Sequence, residues 1–277
     1  MGTLQGGERR NAILRGEPIT SCGLTFYPVL VSEYEIFKMC AEALTMRQST
    51  FPVKYVSLDF VSAVAQMDLD ATRSESSETS GAFARLIRLL FLSLRLEFNE
   101  DMLAQTVFFA MGDDGNPKLH HFTINQNGNC IDITPLQFST EIRSVIAEQN
   151  GLELPDESEN ADLIASAREK AEFDDQAQKL NINFPDLIAS VAHNSFVREK
   201  DVLEWTVREF ESQRRAIDRE KHYMMYGTAE MSGYVKFKNG NPAPSLYFDL
   251  LDDSLGTIGL SKLGQIFGEN DPTQTNK

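Results

Sequence analysis

The chain is short of the residues from which most active centres are built. It has three cysteines, four histidines and one tryptophan in 277 residues. Cys22, Cys40 and Cys130 are far apart and form no C-x-x-C pair. They read as reduced thiols acting as small apolar groups, which suits a reducing compartment. His120 and His121 are adjacent in a segment that reads as a strand. Their side chains are therefore expected on opposite faces, unable to chelate one ion. His193 and His222 have no ligand at helical spacing apart from Asp218, one turn before His222. There is no GxGxxG, P-loop, GxSxG or HExxH. The turns GDDGNP and NQNGN lack the spaced oxygen ligands and closing glutamate of a calcium loop. No apolar run reaches the roughly 18 residues that a membrane-spanning helix needs. The opening MGTLQGGERRNAILRGEP has no apolar core of a secretory signal. The expectation is a non-enzymatic protein with no catalytic residue, no cofactor and no metal.

Basic charge is also scarce. Against 26 Lys and Arg stand 41 Asp and Glu, for a formal net charge of −15. A nucleic-acid backbone or an anionic membrane would be repelled over the screening length, so neither is expected as a partner. Hydrophobic content of 42% is that of a globular chain able to bury a sizeable core.

The most legible block is 105–150. QTVFFAM is rich in residues that suit a pleated surface, and both of its faces are apolar, which predicts a strand covered on both sides. GDDGNP turns the chain into KLHHFTIN. Asn127-Gly128 turns it again into CIDIT, giving a β-meander over 105–133. Thr134 is an expected N-cap, with Pro135 at the first helical position and Gln137 closing a capping box. The helix that follows ends near Asn150-Gly151.

Elsewhere the pattern is helical. Residues 1–10 read as a disordered leader, and 12–14 with 24–28 as a short hairpin. Ser32 and Glu35 suggest a capping box for a helix with Ile36, Phe37, Cys40, Ala41 and Leu44 on one face. The segment 51–68 reads as a short helix and 69–81 as a loop. Over 83–98 the chain is apolar except for one basic stripe: Arg88 and Arg95 fall within about 20° of each other and Arg85 about 60° away. That pattern suits a core helix whose arginines reach solvent or acids. A partner-binding helix is the alternative, and a membrane-surface helix fits the surrounding charge poorly. An acidic connector near 151–162 marks a domain boundary. Beyond it lie helices over 161–173 and 185–195, then a long helix capped by Asp201 and Glu204. Its seam is Leu203, Val207, Phe210, Ile217 and Met224.

The expected architecture is α+β, predominantly helical with a small antiparallel β-meander. It divides into an α+β domain over 1–152, a helical domain over 153–240 and an apolar interaction tail over 241–277. Candidate partner-binding residues are Trp205, at or near the seam of the long helix, and two tail clusters. The first is Leu246, Tyr247, Phe248, Leu250 and Leu251; the second is Leu260, Leu263, Ile266 and Phe267. Apolar clusters of this kind require cover, either from the same chain or from another subunit.

The string DITPLQFSTEIRSVIAEQNGLELPDE at 132–157 resembles a pattern found in tail-cluster proteins of phages and prophages of Gram-positive bacteria. So does DLIASVAHNSFVREKDVLEWTVREFESQRRAIDREKHYMMYGTAEMSG at 186–233, with weaker support from ILRGEPI and FPVKYVSLDFVSAV. Together these cover about a third of the chain, and none is a catalytic signature. The resemblance implies a virion-morphogenesis protein, either a tail-assembly chaperone or a structural component that stays in the particle. Implied partners are other tail proteins (tape-measure-like or tail-tube) or a second copy of this chain. The implied location is the host cytoplasm during assembly, or the virion. An unrelated cytosolic enzyme or regulatory module is the remaining alternative.

Overall fold

The computed structural model describes residues 6–73, 81–112, 116–157, 183–234, 237 and 241. They fall into two compact units, one within Met1–Ser158 and Arg198–Glu211, the other within Glu159–Val197 and Ser212–Lys277. The segment 198–211, which the sequence reading groups with 153–240, lies in the first unit. The fold is α+β and mostly helical, with one two-stranded and one three-stranded antiparallel sheet among the described residues.

The first unit opens with α1 (Gly6–Leu14), where a disordered leader and a strand were expected. Burial of Ala12 and Ile13 holds this helix. The hairpin lies further on. β1 (Ile19–Ser21) pairs with β2 (Leu24–Phe26) across a two-residue turn at Cys22-Gly23, both of positive φ. A 3-10 turn (Val31–Glu33) leads into α2 (Tyr34–Leu44), which has no side-chain cap, so the expected Ser32 box is not formed. The Ser32 N–H is instead taken by the Leu203 carbonyl at 3.1 Å. α3 (Phe60–Arg73) is longer than expected and runs into the segment read as a loop. Asp59 begins it, accepting from the Ser62 N–H at 3.1 Å.

α4 (Ala82–Leu94) is the centre of the core. Leu86, Ile87, Leu89 and Leu90 are fully buried, and Phe91 and Leu94 nearly so. Its arginines do point outward. Arg88 is exposed beside Phe98, and Arg95, in the left-handed region at the C-cap, lies over the Tyr27 ring. α5 (Glu100–Thr106), capped by Asn99, takes up Gln105 and Thr106, which the sequence pattern assigns to the strand.

The meander follows as β3 (Val107–Met111), β4 (Pro117–Gln126) and β5 (Asn129–Ile133), in the order β3-β4-β5. Asn127 (φ 55°) and Gly128 (φ 82°) make the expected β4–β5 turn. The Thr134 capping box is present: Gln137 N–H donates to Thr134 Oγ1 at 3.2 Å, and Thr134 N–H to Gln137 Oε1 at 2.9 Å. It starts α6 (Pro135–Gln137), a π-helical turn (Phe138–Ile142) and α7 (Arg143–Asn150). Gly151, at φ 71°, ends the helix in the left-handed conformation.

Buried amides join the sheets and helices where no strand pairing does. Gln126 both accepts from the Thr25 N–H and donates to the Thr25 carbonyl, each at 2.8 Å, so its side chain acts as a strand residue toward β2. Asn150 accepts from the Val29 N–H at 2.9 Å, and Gln149 donates to the Phe26 carbonyl at 3.0 Å.

Residues 198–211 close the unit. The chain at 203–207 runs antiparallel to 29–32: Val31 N–H donates to the Trp205 carbonyl at 2.9 Å and Val207 N–H to the Val29 carbonyl at 2.8 Å. This pairing interrupts the helix expected from Asp201 onward. Asp201 sits inside the short α9 (Glu199–Val202), its carboxylate held by Arg198 at 2.8 Å. The long helix α10 (Val207–Met231) begins after the break, with Thr206 Oγ1 accepting from the Glu209 N–H at 3.1 Å. Phe210 is fully buried, edge-on to Tyr34 at 5.5 Å.

In the second unit, α8 (Phe184–Ser195) is capped by Asn183 and buries Ile188, Val191 and Ala192. Ile217 on α10 is buried there too. The expected seam is shorter than its sequence pattern, because Leu203 precedes the helix and Met224 is 57% exposed. The expected helix at 161–173 lies outside the described residues. None of the described helices is long and apolar enough to cross a membrane.

Candidate functional site

The outer edge of β3 is the most unusual surface of the first unit. Residues Val107–Met111 are all apolar, yet Phe108 is 39% exposed, Phe109 41% and Met111 71%. The expectation that both faces are covered is therefore not met. Val107 and Phe109 share the inward face with Phe122 and Phe83, and Phe83 reaches Phe109 edge-on at 6.3 Å. On the other face, Phe108 stacks on His121 of β4. Among the described residues, no strand pairs with the free edge of β3. An apolar strand with open N–H and C=O groups is a template for another extended segment.

A β-bulge shapes this surface. Phe108 stands opposite His121 and Phe109 opposite Leu119, so His120 is an extra residue in β4. The bulge cancels the alternation that should send the two histidines to opposite faces. Their Nδ1 atoms are 2.7 Å apart instead, with ring centroids at 5.0 Å. The Phe108 ring lies parallel to the His121 ring, at 4.6 Å and 2°. Adjacent histidines in an apolar hairpin were visible in the sequence; the bulge that turns them into a pair was not.

A second apolar surface lies on the C-terminal half of α10, in the other unit. Tyr223, Met224, Met225 and Met231 are exposed, as is Tyr234 beyond the helix. Met and Tyr suit adaptable contacts with apolar partners.

Trp205 is not within the long helix but in the turn before it, half-buried, with its backbone engaged by Val31. The tail residues Leu246, Tyr247, Phe248, Leu250, Leu251, Leu260, Leu263, Ile266 and Phe267 lie outside the described residues.

Polar constellations are modest. Arg9, Arg10, Ile13, Glu148 and Arg208 line an open cavity of about 420 Å³. Arg9 pairs with Glu148 at 3.0 Å, and Arg208 donates to the Glu148 carbonyl at 2.7 Å, so much of this charge is answered within the protein. Burial pushes the Cys22 thiol up, and the Glu141 carboxylate 3.2 Å away pushes it further. Burial raises Cys40 as well. Both shifts oppose the thiolate that a nucleophile or metal ligand requires. Among the described residues, no group of three or more His, Cys, Asp or Glu side chains is placed to hold a metal ion. Comparison with known proteins finds that no family model, no curated protein and no solved structure matches this chain.

Proposed function

We propose that this chain is a non-enzymatic phage or prophage morphogenesis protein, a tail-assembly chaperone that holds an apolar segment of a tape-measure-like or tail-tube protein until it is assembled. The observation that supports this reading is the open, apolar edge of β3, where Phe108, Phe109 and Met111 meet solvent. Main-chain pairing along such an edge supplies affinity with little demand on sequence, and the aromatic side chains supply apolar contact. The resemblance at 132–157 and 186–233 supplies the biological setting. An acidic body, with a net charge of −15, keeps a complex with a sticky partner soluble in the host cytoplasm. The alternative within the same setting is a component that stays in the virion.

Two measurements test the reading. Particles purified from an induced host and analysed by mass spectrometry should hold little or none of this chain; stoichiometric copies would favour the virion component. Co-expression with the tape-measure-like protein should keep that partner soluble. The pair Phe108→Ser and Met111→Ser should abolish this effect without lowering the melting temperature. Unchanged rescue by the variant would remove β3 from the function.

A further inference from the structure

We propose that His120 and His121 form a two-nitrogen chelate for a divalent transition-metal ion, with Cu²⁺ the preferred ion and Ni²⁺ next. This inference does not depend on the chaperone reading.

Metal–imidazole bonds are about 2.0–2.1 Å, so two nitrogens on one ion lie ~2.9 Å apart at a right angle and ~3.4 Å apart at a tetrahedral one. The Nδ1 atoms of His120 and His121 are 2.7 Å apart, close to the right-angle separation and well short of the tetrahedral one. Binding needs more than a wider gap: in the hydrogen bond the two nitrogens face each other, and each ring must rotate about its own side-chain torsions so that both Nδ1 lone pairs converge on one ion. Right-angle positions are those of square-planar or tetragonal coordination, which Cu²⁺ and Ni²⁺ favour, and Cu²⁺ also stands at the top of the divalent affinity order.

The arrangement is built rather than accidental to two mobile side chains. The bulge sets both residues opposite Phe108, and the parallel Phe108 ring fixes the plane of His121. His120 is exposed and His121 half-buried, so an ion can reach the pair from solvent. In the free protein, one Nδ1 must carry the proton of the short hydrogen bond and the other accept it. On binding, that proton moves to Nε2 of its own ring, leaving two Nδ1 lone pairs for the metal and two neutral imidazoles. The pair fills two positions, and water or a side chain of a partner takes the rest.

The test is a titration of the untagged full-length chain with CuCl₂ in the presence of an oxygen-donor competitor such as citrate, which adds no nitrogen coupling of its own, read by calorimetry and electron paramagnetic resonance. The expected result is one Cu²⁺ per chain with nitrogen hyperfine splitting. His120→Ala and His121→Phe should each weaken binding at least tenfold. His121→Phe keeps an aromatic ring stacked on Phe108, so a loss there reads the ligand and not the fold. His193→Ala, on α8, should bind like the parent. Absence of a one-equivalent site, a signal without nitrogen coupling, or affinity unchanged in both His120→Ala and His121→Phe would overturn the proposal.

Discussion

The guanidinium of Arg143 lies over the ring of Phe60, its central carbon 3.5 Å from the ring centre. Arg143 is 8% exposed. Its Nε donates to the Leu44 carbonyl at 2.9 Å and its Nη2 to the Met46 carbonyl at 2.8 Å. One side chain thus takes the last carbonyl of α2 and one just beyond it, and ties that end to α3 and α7. Burial lowers its pKa to about 10, with Glu157 opposing the shift. The group stays charged at neutral pH, held by hydrogen bonds and the ring.

Replacing Arg143 with Met should therefore cost about 3–5 kcal/mol, since two buried carbonyls lose their donor and the cation–ring contact is lost. Lys should recover only part of this, because an ammonium lacks the planar fork that reaches both carbonyls over a ring. Urea unfolding of the two variants would check the order. A Lys variant as stable as the parent would refute it.

Gln126→Leu should cost about 1–3 kcal/mol by leaving both the N–H and the carbonyl of Thr25 without partners in a partly buried setting. Amide exchange of Thr25 should accelerate more than that of the β4–β5 pairs. Equal acceleration everywhere would mean global loosening.

Phe210→Ala should cost on the order of 3–5 kcal/mol, because the ring is fully buried beside Tyr34. Met224→Ala, on the exposed part of the same helix, should change stability by under about 0.5 kcal/mol. Similar losses at both sites would show that the seam continues to Met224.

Asp68 and Asp70 on α3 should give opposite acid responses. The Lys54 ammonium, 2.8 Å away, is the main cause that lowers Asp70, aided by Tyr55 and Gln66. A lowered folded-state value contributes stability above the unfolded value, near 4, that is lost as pH falls through the folded one. Burial raises Asp68, although the N–H groups of Phe83, Ala82 and Gly81 oppose it. A raised folded-state value means that stability falls as pH climbs from about 4 through the folded value. Asp70→Asn should thus be less stable than the parent at pH 7 and converge with it in acid. Asp68→Asn should gain on the parent as pH rises above about 4. Melting curves from pH 3 to 7 would show parallel profiles if neither carboxyl is perturbed.

The parts of the fold legible in the sequence are those written in neighbouring residues. Asn127-Gly128 makes its turn because both positions tolerate positive φ. Thr134, Pro135 and Gln137 start their helix within one turn of chain. The apolar faces of α2 and α4 follow from spacing alone. Arg88 points outward for the same reason. Where the reading failed, a distant segment had intervened. The strand-like contact of 203–207 with 29–32 broke the helix expected from Asp201, and it also took the N–H of Ser32. At 12–14 the apolar residues serve a helix equally well, and periodicity over three residues cannot choose.

The sequence by itself determined an acidic, mostly helical chain with one β-meander, because charge, apolar period and turn chemistry act over a few residues. Only the tertiary structure decided that β3 is exposed on an edge, that Arg143 is buried on Phe60, and that His120 and His121 meet. Each depends on what another element places opposite: no paired strand among the described residues, an α3 ring, a bulge set by pairing with Phe108. Such pairings join residues distant in the chain, as Arg143 with Leu44 and Val31 with Trp205 do, and no local pattern encodes them.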